Sequence, residues 1–369
     1  MTIRNTCAAL LIGATAFLGL AQVATAAPVP ANFEPGSVSF VSASTGFLLG
    51  TSPCGHAPCT AVLTTSDGGH AWARAAAPGA SFASPASRYP GSVSQVVFAD
   101  ATDGWVYGNS LWATYDGAHT WQRVNLRGPV FSLATSTEVA YALVGNCSPN
   151  GSDCQSPQLR LERSNVGSGS WQIVPGISGY GTSAIIAANG ENAWVSVSPR
   201  DHGAALLWTT ADGGASWHSL PDSCYQPARA TDLAGLASPG GRVVFELCAG
   251  NPGAGQEGKS LRISTDGGST SHLVSQLPLG GLAQGIVAVG GANVYVTAAS
   301  GASDVYTSTN AGRTWAARVF DDGGAGLTDI AFPTTSFGAA IEGQPALGPT
   351  GDRLLVTDNG GATWAAVKS

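Results

Sequence analysis

Short runs that mix apolar and small polar residues recur along the chain, and each run ends in a turn rich in glycine, aspartate or serine. Residues 92–125 contain four such runs, SVSQVVFAD, DGWVYGN, SLWATYD and HTWQRVN. Val, Thr, Tyr and Phe favour strands, and short runs bounded by turn residues are typical of antiparallel sheets. The pattern therefore predicts four consecutive strands here, and residues 37–75 and 327–369 show the same four.

One phrase marks the turn between the third and fourth strands of each set. It reads TTSDGGHAW in residues 64–72 and TTADGGASW in residues 209–217, and its copies lie 44 to 54 residues apart. The final position of the seven copies is held by Trp72, Trp121, Trp171, Trp217, Ser271, Trp315 and Trp364. A strand-rich repeat of about 40–50 residues indicates one propeller blade per copy. We therefore expect an all-β fold, a seven-bladed β-propeller of four-stranded antiparallel blades, over residues 36–369.

The aspartates of this phrase are expected to serve the turn. An Asp side chain accepts hydrogen bonds from nearby backbone N–H groups, glycine supplies positive φ, and the tryptophan is placed to bury itself between sheets. Each acid stands alone in its turn, whereas a cation site needs several converging oxygens. We therefore expect neither a metal nor a cofactor at these positions, which are Asp67, Asp116, Asp212, Asp266, Asn310 and Asn359.

The phrase resembles the Asp-box, or BNR, repeat of sialidases and other β-propellers. The wider frame, VVFADATDGWVYG followed by ATYDGAHTW, is similar to the photosystem II assembly factor family and its bacterial relatives. This resemblance covers about residues 36–368 and implies a propeller with structural Asp boxes. It identifies a fold more strongly than an activity, because one fold supports many functions.

The first 26 residues have the layout of a secretory signal peptide. Arg4 precedes the apolar run AALLIGATAFLGLAQV, and small residues lead to an expected cleavage after Ala26. An uncleaved membrane anchor is the alternative, but the apolar run is shorter than a span requires. We expect a protein that is secreted or associated with the cell envelope, with residues 27–35 as an N-terminal lead and no span after cleavage.

Charge and cysteine content support an exported protein that binds no nucleic acid. The chain of 369 residues has 23 acidic residues against 16 basic ones, which is the reverse of a nucleic-acid binder. Outside the expected signal peptide there are six cysteines, which we pair as Cys54–Cys59, Cys147–Cys154 and Cys224–Cys248. Metal binding by Cys-x4-Cys is the alternative, although no second pair stands at zinc spacing. All three expected disulfides lie on one face, formed by the second-to-third strand loops and the connections between blades.

We expect ligand binding on this face, because the repeated turns occupy the opposite one. Its candidate residues are polar or aromatic and lie in the predicted loops, and an ordinary solvated loop residue is the alternative for each. They are Arg88, Tyr89, Arg127, Arg200, His202, Tyr225, Arg229 and Glu257.

Two functions fit this description. The first is a secreted, non-catalytic propeller, expected to be a monomer, that binds an extracellular or envelope protein or glycan as an assembly platform. The second is a glycoside hydrolase of the sialidase (exo-alpha-sialidase) type, which requires an arginine cluster, a tyrosine nucleophile paired with glutamate, and an acid. The early Arg-Ile-Pro motif of sialidases is missing, and Glu246 is the one acid that the pattern places on a central strand. No catalytic residue can be assigned, and the first function is favoured.

Overall fold

A computed structural model shows a ring of seven four-stranded antiparallel sheets. The structure describes residues 28–55, 57–83, 91–147, 154, 157–180, 184–197, 205–226, 231–250, 252–320, 326–343 and 352–367. The expected signal peptide lies outside these residues. The seven-bladed, all-β architecture predicted from the repeat is confirmed.

Each blade uses four strands that follow one another in the chain. Blade 1 contains β1 (Glu34–Phe40), β2 (Gly46–Cys54), β3 (Ala57–Thr65) and β4 (Ala73–Arg74). Blade 2 contains β5 (Val93–Phe98), β6 (Asp103–Gly108), β7 (Leu111–Tyr115) and β8 (Gln122–Val124). Blade 3 contains β9 (Val130–Thr135), β10 (Val139–Asn146), β11 (Gln158–Asn165) and β12 (Gln172–Tyr180). Blade 4 contains β13 (Ala184–Asn189), β14 (Asn192–Val197), β15 (Leu206–Thr210) and β16 (His218–Pro221).

The remaining three blades repeat the arrangement. Blade 5 contains β17 (Asp232–Gly240), β18 (Val243–Ala249), β19 (Lys259–Ser264) and β20 (His272–Gln276). Blade 6 contains β21 (Leu282–Val289), β22 (Asn293–Ala299), β23 (Ser303–Ser308) and β24 (Ala316–Phe320). Blade 7 contains β25 (Leu327–Ala331), β26 (Gly338–Glu342), β27 (Arg353–Thr357) and β28 (Ala365–Ala366). The described residues contain no helix long and apolar enough to cross a membrane.

The first strands of the blades form the inside of the ring, and they contact one another in cyclic order from β1 to β25 and back to β1. The ring therefore closes without a strand exchanged between its ends. At this seam, Phe33 and Leu48 pack in one cluster with Phe337 and Ile341 of blade 7. Strand β1 also begins at Glu34, so the last two residues of the expected lead pair with β2.

The repeated turn has one hydrogen-bonding pattern in six of the seven blades. In blade 4 the Thr210 hydroxyl donates to Asp212 Oδ1 at 2.7 Å and accepts from the Gly214 N–H at 3.0 Å. Asp212 Oδ1 also accepts from the Ser216 N–H at 2.9 Å. The equivalent hydroxyls are Thr65, Thr114, Ser264, Ser308 and Thr357. Each of these turns is thus closed by its own side chains.

The same turns are tied to the neighbouring turn of their blade. In all seven blades a backbone N–H of the third-to-fourth strand turn donates to a carbonyl of the first-to-second strand turn, as from Gly68 to Ser44 at 2.9 Å and from Gly360 to Ser336 at 2.7 Å. We call this side of the ring the turn face. We call the opposite side, with the second-to-third strand loops and the connections between blades, the loop face. The backbone groups that join the two turns of each blade are already paired, so we expect variation on the loop face.

The tryptophans of the repeat pack between their own blade and the preceding one. Trp217 of blade 4 contacts Tyr141 of blade 3, with ring centroids 5.7 Å apart, and Trp171 of blade 3 contacts Trp105 of blade 2 at 6.3 Å. All six tryptophans of the repeat are half-buried, and none of them is fully enclosed. Blade 5 differs, because Ser271 stands at the tryptophan position and its hydroxyl donates to Glu246 Oε2 at 2.6 Å.

Candidate functional site

The loop face carries three disulfides, and they join the cysteines that were paired from the sequence. Cys54–Cys59 closes the β2–β3 loop, and Cys147–Cys154 closes the β10–β11 loop. Cys224–Cys248 ties the connection between blades 4 and 5 to the end of β18. Each bond closes a local loop, so the disulfides stiffen this face instead of joining distant blades.

A cavity of about 320 Å³ opens on this face between blades 2 and 3. We call it the mouth pocket. Its lining consists of neutral polar, aromatic and small residues at the beginnings of β5 and β9 and the end of β6. They are Ala83, Ser92, Ser94, Gln95, Tyr107, Gly108, Asn109, Pro129, Val130 and Phe131. A few polar groups beside apolar surface are typical of ligand pockets of this size.

Tyr107 connects the mouth pocket to the inside of the ring. Burial raises the pKa of the Tyr107 phenol, and the charge of Asp329 adds to this effect. Asp329 Oδ2 accepts from the Ser37 hydroxyl at 2.7 Å and from the Val38 N–H at 3.0 Å. Burial raises the pKa of Asp329 as well. Tyr107 is therefore a neutral hydrogen-bonding group at neutral pH and not an ionised nucleophile.

Of the eight candidate residues chosen from the sequence, three lie within the described part of the chain. Arg127 is exposed and lines a second, larger cavity. Tyr225 is half-buried beside the Cys224–Cys248 disulfide, and its N–H donates to the Asp222 carbonyl at 3.3 Å. Glu257 Oε2 accepts from the Ala283 N–H at 2.6 Å. The other five, Arg88, Tyr89, Arg200, His202 and Arg229, lie outside the described residues.

Glu257 belongs to a compact structural cluster around Lys259. The Lys259 side chain is fully buried, and its ammonium donates to the carbonyls of Glu257, Leu279, Gly280 and Gly281 at 2.7–3.2 Å. Burial lowers the pKa of Lys259, while the charges of Glu257 and Asp304 oppose this shift. The cluster fixes the connection between blades 5 and 6. This cluster could not be predicted from the sequence, because a lone lysine gives no sign of four carbonyls around it.

The acid weighed for hydrolysis, Glu246, is only 1 % exposed. Its Oε2 accepts from Ser223 and Ser271, and Arg262 Nε lies 4.0 Å away. Nearby Asp222 is also buried, and this burial raises its pKa to about 6. A hydrogen bond from the Cys224 N–H opposes the rise, and the charge of Glu246 adds to it. Glu246 is thus held between blades 4 and 5, away from bulk solvent.

The lining of the mouth pocket was missed by sequence reasoning. Tyr107 and Gln95 lie in strand-like runs, DGWVYGN and SVSQVVFAD, which read as blade interior. Both are half-buried at the ends of their strands. Among the described residues, no cluster of three or more His, Cys, Asp or Glu side chains is placed to hold a metal ion.

Comparison with known proteins supports the fold alone. No protein-family model and no curated protein matches the chain. Among solved structures, the chain is similar to an oligogalacturonate lyase from Vibrio parahaemolyticus, with 9% identity, a TM-score of 0.55, and coverage of 89% of this chain and 92% of that one. It is also similar to the β-propeller domain of the Trilobed protease from Pyrococcus furiosus, with 10% identity, a TM-score of 0.52, and coverage of 91% and 98%. A third similar structure is YCF48 from Cyanidioschyzon merolae, with 15% identity, a TM-score of 0.39, and coverage of 93% and 87%.

Proposed function

We propose that this protein is an exported, non-catalytic β-propeller that binds an extracellular or envelope protein or glycan through its loop face. The observation that carries the proposal is the mouth pocket. It opens on the disulfide-stiffened face, and its described lining contains hydroxyls, amides and aromatic rings but no carboxylate, imidazole or cationic side chain. Such a lining can hold a polar ligand, and it offers no acid–base pair.

The hydrogen bonds of the two glutamates Glu246 and Glu257 also support binding over hydrolysis. A glycosidase of the sialidase type needs a glutamate that reaches a tyrosine or the substrate. Glu246 lies between blades with its Oε2 accepting two serine hydroxyls, and Glu257 is bonded to the backbone of the next blade. The three disulfides fit an oxidising compartment, which supports the proposed export through the expected signal peptide.

The test compares variants of the mature protein on the two faces of the ring. Gln95→Ala and Tyr107→Phe each remove one hydrogen-bonding group from the mouth pocket, and His119→Ala changes an exposed side chain of the turn face. Retention of a partner or glycan from an envelope extract is measured for each variant at matched concentration. We expect the two pocket variants to bind roughly two- to tenfold more weakly, and His119→Ala to bind like the parent protein.

A panel of fluorogenic glycosides, including a sialoside, provides the enzymatic arm. No turnover is expected with the purified protein. Turnover that disappears in Glu246→Gln or Glu257→Gln would replace the binding proposal with the hydrolase. Equal loss of retention in His119→Ala and in the pocket variants would show that the loop face is not the binding surface.

A further inference from the structure

A cavity of about 500 Å³ lies beside the mouth pocket, at the outer side of blade 3. We call it the blade 3 groove. Its floor is one face of the β11–β12 pair, where Arg160 stands opposite Ser178 and Glu162 opposite Ile173. Its wall is the connection from blade 2, residues 125–127, and Trp171 lines it as well. A cavity of this volume lies within the range of pockets that hold small ligands.

Arg160 is fixed in the groove before any ligand arrives. Its Nε donates to Glu162 Oε1 at 2.8 Å, and its Nη2 lies 2.7 Å from the same oxygen in an ion pair. Nη2 donates to the Arg127 carbonyl at 3.2 Å. The Glu162 side chain is 7% exposed and that of Arg160 is 20% exposed. Because these bonds use only part of the guanidinium, its remaining N–H donors are held in place for an acceptor.

The groove is cationic on an acidic protein. Arg127 and Arg160 face one glutamate, Glu162, whereas the whole chain has a formal net charge of −7. Arg160 is neutralised by Glu162, and Arg127 forms no salt bridge with any residue that the structure describes. An uncompensated arginine beside a fixed guanidinium favours a carboxylate, which can accept two parallel hydrogen bonds.

The rest of the lining suits a sugar. A pyranose ring has an apolar C–H surface and a rim of hydroxyls, so it needs apolar side chains next to groups that both donate and accept. Trp171 and Ile173 supply the apolar part, and Ile173 is 62% exposed. Amide side chains of Asn125, Asn146 and Gln158 supply the polar part.

An extended peptide fits the groove less well. Peptides often bind by adding a strand to a free sheet edge, and β12 is the outermost strand of blade 3. Pro175 removes a backbone donor from this edge, and Gly176 has a φ of 81°, which breaks the extended conformation. The cavity also lies on the face of the strands and not along their edge.

We propose that the blade 3 groove binds a short oligosaccharide that contains uronic acids. Arg127 and Arg160 hold the carboxylate, and Trp171 and Ile173 contact the apolar side of the sugar ring. This inference rests on the proposed function, because it names a ligand class for the loop face.

The experiment is calorimetric titration of the mature protein with three defined probes. The first is β-linked trimannuronate, and the second is mannotriose of the same linkage, which has a hydroxymethyl group in place of each carboxylate. The third is triglutamate, which has carboxylates without the sugar. We expect trimannuronate to bind at least about tenfold more tightly than either of the others. Arg127→Gln should weaken its binding by roughly ten- to hundredfold. Arg318→Gln, the same change at an exposed position of β24, should leave it unchanged.

Each contrary result has a definite meaning. Equal binding of triglutamate would show that the groove recognises any carboxylate and would overturn the sugar assignment. Equal effects of Arg127→Gln and Arg318→Gln, or no binding of trimannuronate, would overturn the site. If trimannuronate fails while Gln95→Ala and Tyr107→Phe still weaken retention from the envelope extract, the groove assignment is wrong and the proposed function stands. Failure of both measurements would reject both proposals.

Discussion

At the scale of single residues, the repeated turn depends on the hydroxyl of a Thr or Ser at the end of the third strand. The sequence shows this residue, but it was interpreted only as part of the strand. The role of the aspartate could be predicted, because Asp commonly accepts backbone N–H groups in turns. The Thr or Ser two positions earlier closes the same network, as Thr65 and Ser308 show. These residues end a strand and favour strands themselves, so their propensity concealed their turn role.

Two blades provide a natural control for the acid. Asn310 Oδ1 and Asn359 Oδ1 accept the same hydrogen bonds as Asp212 Oδ1, and their amides donate to Thr314 and Thr363. We therefore expect Asp212→Asn to unfold close to the parent temperature. Asp212→Ala leaves the turn N–H groups without their acceptor and should lower Tm by about 2 °C. Thermal unfolding at neutral pH measures both, and equal Tm values for the Ala variant and the parent would contradict the turn's role.

The comparison of Asp212 with Asp212→Asn also predicts how stability depends on pH. Hydrogen bonds from the Ser216 hydroxyl and N–H lower the pKa of Asp212 from its ordinary value of 3.8 to about 2. A carboxyl whose pKa is lowered on folding stabilises the fold above its unfolded pKa and loses this contribution as the pH falls towards its folded pKa. The free energy of unfolding of Asp212→Asn should therefore fall less than that of the parent protein between about pH 4 and pH 2. Urea unfolding at several pH values measures this difference.

Lys259 is a residue whose importance only the structure reveals. Lys259→Met removes a donor shared by the carbonyls of Leu279, Gly280 and Gly281 in the connection between blades 5 and 6 and by that of Glu257 in the β18–β19 loop. The carbonyls of Leu279 and Gly280 keep a second donor, the Glu257 N–H and the Tyr306 hydroxyl. We expect a loss of roughly 2–6 kcal/mol in the free energy of unfolding, because the other two carbonyls lose this donor and each buried unpaired acceptor costs about 1–3 kcal/mol. Arg318→Met, at an exposed site, serves as the control in the same urea titration. A loss no larger than that of the control would show that the ammonium does not hold the connection.

At the scale of strands and blades, the centres of the elements followed from the sequence and their ends did not. The run DGWVYGN was predicted as a strand and appears as Asp103–Gly108. The fourth run of residues 37–75, HAWARA, was also predicted as a strand, but only Ala73–Arg74 pairs. An outermost strand pairs on one side alone, so its length is not fixed by the alternation of its residues. The first run of blade 1, SVSFVSAS, was expected to be a strand over its whole length. At its end, the Ser42 hydroxyl accepts hydrogen bonds from the N–H groups of Ser44 and Thr45, and a turn forms there.

Blade 5 shows how a missing repeat residue changes the space between two blades. Where other blades insert a tryptophan, Ser271 leaves room for the carboxylate of Glu246. The sequence revealed the missing tryptophan at Ser271 but not its polar replacement, because Glu246 lies 25 residues away in the chain.

The role of Ser271 can be tested by placing a tryptophan there, as in the other six blades. Ser271→Trp places an indole against the Glu246 carboxylate and removes one of its donors, so we expect it to destabilise the fold by roughly 1–3 kcal/mol. Adding Glu246→Leu should recover part of this loss, because the indole then meets an apolar side chain. A double-mutant cycle by thermal unfolding measures the coupling. Stabilisation by Ser271→Trp alone would contradict the account of this interface.

At the scale of the whole molecule, the number of blades was predictable and the closure of the ring was not. Seven copies of one phrase predict seven sheets, whereas Pro28, Pro30 and Pro35 make the leading segment an unfavourable central strand. The structure accommodates Pro35 at a register shift of β1 and seals the seam with side chains. The mouth pocket was equally unpredictable, because its lining comes from two blades and the turns between them.

The seam predicts a local weak point. Phe33 is 3% exposed and packs between blades 1 and 7, so Phe33→Ala should lower the free energy of unfolding by roughly 3–5 kcal/mol. Pro28→Ala, at an exposed position of the same segment, should have little effect. Urea unfolding compares the two variants. Equal and small effects would show that the leading segment does not take part in closing the ring.

The central claim is that ligand binds the loop face of a ring whose turn face is closed by its own hydrogen bonds. Hydrogen–deuterium exchange of the mature protein, with and without the partner or glycan that it retains, tests this most directly. We predict slower exchange at the ends of strands around Gln95, Tyr107 and Arg127, with no change at the repeated turns around Asp116 and Asp212. Protection confined to the repeated turns would contradict the claim.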